Sequence, residues 1–105
     1  MELTSKQRAR LRAMANGIDT ILIVGKDGIG ETLVKQAEDA LEARELIKGR
    51  ALETAPLTAR EAAEALSRAT RSEVVQVIGT KFVLYRETHS RPKDQRIALK
   101  RQAAQ

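Results

Sequence analysis

TILIVGKDGIGETLVKQAEDALEAR, residues 20–44, carries the decisive reading. Thr20 to Val24 is rich in β-branched types and lacks polar alternation, so it reads as a buried strand. Three glycines, Gly25, Gly28 and Gly30, follow at once. From about Gly30 to Arg44 the residues Leu33, Val34, Ala37, Ala40 and Leu41 recur at helical spacing and form one apolar stripe. Glu31 and Lys35 are spaced to pair across one helical turn. A strand that turns through a glycine loop into a helix points to an α/β fold.

The elements on either side extend the pattern. Upstream, Thr4-Ser5-Lys6-Gln7 is a capping box that starts a helix at Ser5. Leu11, Met14, Ala15 and Ile18 give it a buried face, and Asn16-Gly17 stops it. Lys6 and Arg10 flank that face on one side, Arg8 and Arg12 on the other. Downstream, Leu46 to Leu52 reads as a second strand with Lys48 and Arg50 on one face. A turn with Pro56 leads to a second capping box, Thr58-Ala59-Arg60-Glu61. That helix runs to about Thr70 and buries Ala62, Ala63, Leu66 and Ala69 or Thr70. Glu73 to Ile78 and Lys81 to Arg86 are two further strands, joined by the two-residue turn Gly79-Thr80. The order α-β-α-β-α-β-β implies one α/β domain over residues 1–87, a four-stranded mixed sheet with helical cover. Residues 88–105 are polar and basic and are expected to form a flexible tail.

Composition bounds the function. A chain of 105 residues with 42% hydrophobic and 2% aromatic residues packs a single, largely aliphatic core. Cysteine is absent and His89 is the one histidine, which leaves no thiolate or histidine metal cluster. No metal or other cofactor is expected. No apolar run approaches a membrane span, and MELTSKQRAR lacks the apolar core of a signal peptide, so a cytoplasmic, monomeric protein without a membrane partner is expected. The net charge of +5 is uneven: residues 86–105 hold six Lys or Arg against two acids. Residues 31–45 run the other way, with Glu31, Glu38, Asp39, Glu42 and Glu45 against Lys35 and Arg44. Basic ends suit a polyanionic partner.

Gly25-Lys26-Asp27-Gly28 is a GxxG at a strand–helix junction. One reading is an ordinary turn that needs positive φ. The other is a loop that brings a phosphate to free N–H groups at a helix start, with no Cβ in the way and Lys26 adding charge. The spacing excludes a P-loop and a dinucleotide fingerprint. The serines lack His and Asp partners and most acids lie on an exposed helix face, so no enzymatic constellation and no small-molecule substrate site is expected. Phe82 and Tyr85 are three apart on one strand and point to opposite faces, Phe82 into the core and Tyr85 half-exposed. That is too few aromatics for the stacking platform of an RNA recognition motif.

Four segments together resemble the YhbY-like RNA-binding family, whose module is also called the chloroplast RNA splicing and ribosome maturation domain. They are Leu3-Thr4-Ser5-Lys6-Gln7-Arg8, Val24-Gly25-Lys26-Asp27-Gly28-Ile29, Glu45-Leu46-Ile47-Lys48, and the hairpin from Val75 to Arg86. The resemblance spans roughly residues 2–87. It implies a fold similar to the C-terminal domain of translation initiation factor three. It also implies RNA binding at the GxxG loop and association with precursors of the large ribosomal subunit. The implied RNA-binding residues are Gly25, Lys26, Asp27, Gly28 and Gly30 of the loop, with Arg8, Arg12, Lys48, Arg50, Lys81 and Arg86 adding basic surface. Two residues depart from the pattern. Gly49 stands where a larger strand residue is expected and should weaken or bulge its strand. Asp27 lowers the positive charge of the loop. A different class of function is a module that docks on a ribosomal protein or assembly factor through the acidic helix around Glu38, Asp39 and Glu42.

Overall fold

A computed structural model describes residues 3–88. The elements follow the expected order: α1 (Ser5–Ala15), β1 (Thr20–Val24), α2 (Glu31–Arg44), β2 (Leu46–Ala51), α3 (Ala59–Thr70), β3 (Glu73–Ile78) and β4 (Lys81–Tyr85). Both capping boxes form. Thr4 Oγ1 accepts from the Gln7 N–H at 3.1 Å, and Gln7 Oε1 accepts from the Thr4 N–H at 2.9 Å. Thr58 and Glu61 repeat the arrangement at the start of α3. Each box satisfies two backbone donors that a helix start leaves without partners.

The sheet order is β1-β2-β4-β3, with β2 parallel to β1 and antiparallel to β4, and β3 antiparallel to β4. The crossovers through α2 and α3 step the same way across the sheet. Crossovers of one hand then put both helices on one face. Between them and the sheet lies the larger core, with Leu22, Val24, Ala37, Leu41, Ile47, Leu66, Phe82 and Leu84. The other face takes α1, over a smaller cluster that includes Leu11, Ala15, Leu46, Val75, Val83 and Tyr85. Helices therefore cover both faces.

Several expectations are corrected. Met14 is exposed, because the sheet-facing line of α1 runs through Gln7, Leu11 and Ala15 and leaves Met14 on the flank. β1 is not buried throughout: it is an edge strand, and Ile23 projects on the α1 side beyond the helix. Tyr85 is not half-exposed but 1% exposed, in the core under α1. Burial raises its phenol above the ordinary value, and the Glu45 and Glu87 carboxylates push it the same way. Lys35 reaches forward to Asp39 at 3.5 Å.

Gly49 does not break or bulge β2, whose pairing with β4 is continuous from Leu46↔Tyr85 to Arg50↔Lys81. It makes room instead. Gly49 lies opposite Phe82, whose ring covers it, and a Cβ there would lie 2.6 Å from Cε2 and nearer still to Cζ. The irregularity is in β3, where Val75 is an extra residue between Val74, opposite Leu84, and Gln76, opposite Val83. The Arg8 guanidinium donates to the carbonyls of Val74 and Val75 at this point. A bulge disrupts the ladder locally, and an arginine fork suits the groups it exposes.

At the end of β4 the chain is knitted to α2. Arg86 N–H donates to Glu45 O at 2.9 Å, and Thr88 N–H to Glu45 Oε2 at 2.9 Å. Thr88 Oγ1 also bonds Glu42 Oε2, and Thr88 is buried. The expected tail beyond it, residues 89–105, lies outside the described residues.

Candidate nucleic-acid interface

Three loops meet at one end of the sheet. β1, β2 and β3 finish there and β4 begins there, which gathers the glycine loop, the β2–α3 loop and the Gly79-Thr80 turn. Backbone bonds tie them together: Leu52 N–H to Val24 O at 2.9 Å, and Ala51 N–H to Thr80 O at 2.8 Å.

The glycine loop is a tight turn. Gly28 N–H donates to Gly25 O at 3.0 Å, and Gly28 takes a φ of +67°, where glycine is strongly favoured. The turn also packs. A Cβ on Gly28 would lie 3.2 Å from Pro56 Cγ and 3.6 Å from Leu57 Cδ1. Ile29 anchors the loop against the larger core. Lys26 and Asp27 form its exposed tip. Gly30 is the N-cap of α2 and offers no side-chain cap, whereas α1 and α3 both start with a threonine box. The first turn of α2 thus presents backbone donors and the positive end of the helix dipole beside Lys26. Glu31, in the same turn, opposes an anion there.

The sheet places further cations at this end. On β2 and β4 the residues Lys48, Arg50 and Lys81 share the α1 face, since Ile47, Phe82 and Leu84 point into the opposite core. Arg50 stands directly opposite Lys81, and both are exposed. Lys48 is half-buried one step nearer α1. Lys26, Arg50 and Lys81 are therefore at one end of the molecule.

The remaining basic residues lie elsewhere. Arg8 is engaged with the carbonyls of β3, and Arg12 follows one turn later on the same flank of α1. Arg86 is at the opposite end of β4. Its guanidinium donates to Glu38 Oε2 at 2.9 Å, Glu42 Oε1 at 3.2 Å and Thr70 O at 2.9 Å. These contacts also occupy two of the acids that suggested a docking surface on α2, and Asp39 is taken by Lys35.

Ile23 and Ile78 were missed as surface residues. Both sit at this end and are 46% and 64% exposed. The apolar run of β1 suggests burial for Ile23, the sequence carries no burial reading for Ile78, and the pairing register puts both outside α1. Among the described residues no cluster of His, Asp and Glu is arranged to hold a metal ion. No helix among them is long and apolar enough to cross a membrane.

Known proteins resemble this chain in sequence and fold. Residues 3–86 match the CRS1/YhbY (CRM) domain model. The chain is 44% identical over 86 residues to "Probable RNA-binding protein YqeI" of Bacillus subtilis, covering 82% of this chain and 90% of that one. It is 32% identical over 84 residues to an "RNA-binding protein" of Haemophilus influenzae, covering 80% and 85%. The solution structure of the hypothetical protein SAV1595 from Staphylococcus aureus superposes with a TM-score of 0.70 at 46% identity, covering 88% of this chain and 96% of that one. A match that runs from the Thr4 capping box through the glycine loop to Arg86 leaves one conclusion: the chain belongs to the CRS1/YhbY (CRM) domain family.

Proposed function

We propose that this protein binds RNA without catalysing a reaction, and that its RNA is that of the large-ribosomal-subunit precursor, whose assembly it assists. The observation that carries the reading is the exposed GxxG loop at the uncapped start of α2, grouped with Lys26, Arg50 and Lys81. Relatives over most of the chain are named RNA-binding proteins, which supports the same reading.

The loop works through geometry and charge. Gly28 holds the turn at positive φ and Gly30 keeps the helix start bare, so a phosphate meets backbone N–H groups without steric hindrance. Lys26 supplies a charge at the tip, and Arg50 and Lys81 extend the field along the sheet. Lys48, Arg8 and Arg12 contribute at longer range. The protein acts as a monomer in the cytoplasm, and residues 89–105, with five Lys or Arg and one Asp, widen its electrostatic footprint.

The test is sedimentation of lysate through sucrose, with and without ribonuclease, for the wild type and Lys26→Glu. Comigration of the wild type with large-subunit or precursor fractions, abolished by nuclease and weakened by Lys26→Glu, is the expected result. Wild-type protein that stays at the top of the gradient, or comigration that survives nuclease, refutes it. Gly28 is a poor probe of binding, since its substitution also strains the turn against Pro56.

A further inference from the structure

The pairing register places four exposed side chains in one line across the whole sheet: Ile23 on β1, Arg50 on β2, Lys81 on β4 and Ile78 on β3. All four point to the α1 side, beyond the part of the sheet that α1 covers. We propose that this row is a second RNA-contacting surface, in which Arg50 and Lys81 take backbone phosphates while Ile23 and Ile78 pack against the sugars and bases of the same strand. The proposal rests on RNA binding as read above and extends it from the loop tip onto the sheet.

Two features of the row are unexplained by folding alone. Like charges directly opposite each other on paired strands destabilise a sheet. Neither Arg50 nor Lys81 has an acidic partner among the described residues to relieve that repulsion. An anion between them removes the penalty, so the pair is suited to a ligand rather than to the free sheet. The second feature is apolar. Only Met14, Ile23 and Ile78 are exposed large hydrophobic residues among those described, and two of the three close the ends of this row. Ile23 stands beside Arg50 and Ile78 beside Lys81, so each cation of the row has an exposed apolar neighbour. Three strand spacings of about 4.8 Å make the row about 14 Å long, which matches a short run of nucleotides and not a single bound ion.

A polyanion that also offers flat, weakly polar surfaces fits this pattern. RNA does, through phosphates, ribose and unpaired bases. The glycine loop leaves the sheet one residue beyond Ile23, so one RNA strand can run from the loop onto the row.

The test uses the full chain, protein-free large-subunit ribosomal RNA and heparin, with filter binding or competition across a salt series. R50Q/K81Q is expected to weaken RNA binding and to flatten the salt dependence by about one unit of slope or slightly more, for two lost single-strand phosphate contacts. Its melting temperature should equal or exceed that of the wild type, because a repulsive pair is gone. I23S/I78S is expected to weaken RNA binding about ten-fold with the salt slope unchanged, and to leave heparin binding unaltered, since heparin has no bases. Four results overturn the proposal. If both double variants bind like the wild type while Lys26→Glu is impaired, the loop reading stands and the row is not a contact. A lower melting temperature for R50Q/K81Q makes the pair structural. Unchanged affinity for naked RNA with lost association to ribosomal particles assigns the row to an acidic protein surface. Failure of the wild type to bind RNA removes the functional reading and the row together.

Discussion

Gly49→Ala isolates the close approach of the Phe82 ring to the β2 backbone. The new Cβ would lie 2.6 Å from Phe82 Cε2 and 3.1 Å from Cε1, against an ordinary carbon contact of about 3.5–4.0 Å. Phe82 is 1% exposed and packed among the residues beneath α2 and α3, so its ring cannot swing into solvent. Ring or strand must shift by about an ångström, and overpacking of this kind costs about 1–3 kcal/mol. Alanine restricts the unfolded chain more than glycine does and returns about 0.4–1 kcal/mol. The net loss is about 1–2 kcal/mol, which for a domain of this size lowers the midpoint by about 4–16 °C. Thermal and urea unfolding of Gly49→Ala, Phe82→Leu and the double variant measures it. The double variant should lose about 1 kcal/mol less than the sum of the singles, because the shorter side chain clears the methyl group. Additive losses, or a Gly49→Ala protein as stable as the wild type, would show that the ring does not cover Gly49.

Three further outcomes follow from other contacts. Arg86→Met should cost about 1–2 kcal/mol in urea unfolding, a modest loss because Glu38 and Glu42 are 41% and 48% exposed and screened by water. The same variant should bind RNA like the wild type. Arg71, the C-cap of α3, has a φ of +57°, so Arg71→Gly should stabilise the fold by about 0.5–1 kcal/mol, read as a raised melting temperature. Tyr85 is the one tyrosine, so the tyrosinate absorbance reports it alone. Its raised value means that the unfolded chain releases the phenolic proton first. Stability should therefore fall as pH climbs past about 10, and less steeply in Tyr85→Phe.

Much of the fold was legible because its signals are local. Thr4 with Gln7 and Thr58 with Glu61 announce their helices within four residues. Gly79-Thr80 sets a hairpin by length alone. What the sequence hid depends on which residues meet across strands. Gly49 reads as a weak spot until Phe82 is placed opposite it. Ile23 and Val24 are equivalent in the apolar run of β1, yet one faces α2 and α3 and the other clears α1 altogether. Tyr85 is buried because α1 crosses β4, and no local pattern states that. In the candidate site the glycine loop was legible as a motif. The pairing of Arg50 with Lys81 required the β2–β4 register. Arg86 looked like one more cation of a basic end, because its acids are 44 and 48 residues away in sequence.

The position of Arg86 also explains how an acidic helix can serve an anion-binding loop. A phosphate at the start of α2 is favoured by the helix dipole but opposed by the carboxylates further along the same helix. Glu38 lies eight residues beyond Gly30, about 12 Å along the axis. That exceeds the screening length of about 8 Å at physiological salt, so even an unpaired Glu38 would act weakly on the loop. Arg86 and Lys35 offset Glu38, Glu42 and Asp39 locally and reduce the opposition further. Glu31 stands inside the screening length, in the first turn itself. Of the acids on α2, the one that matters for the loop is therefore Glu31, while Glu38, Glu42 and Glu45 hold the chain from Arg86 to Thr88 against the helix.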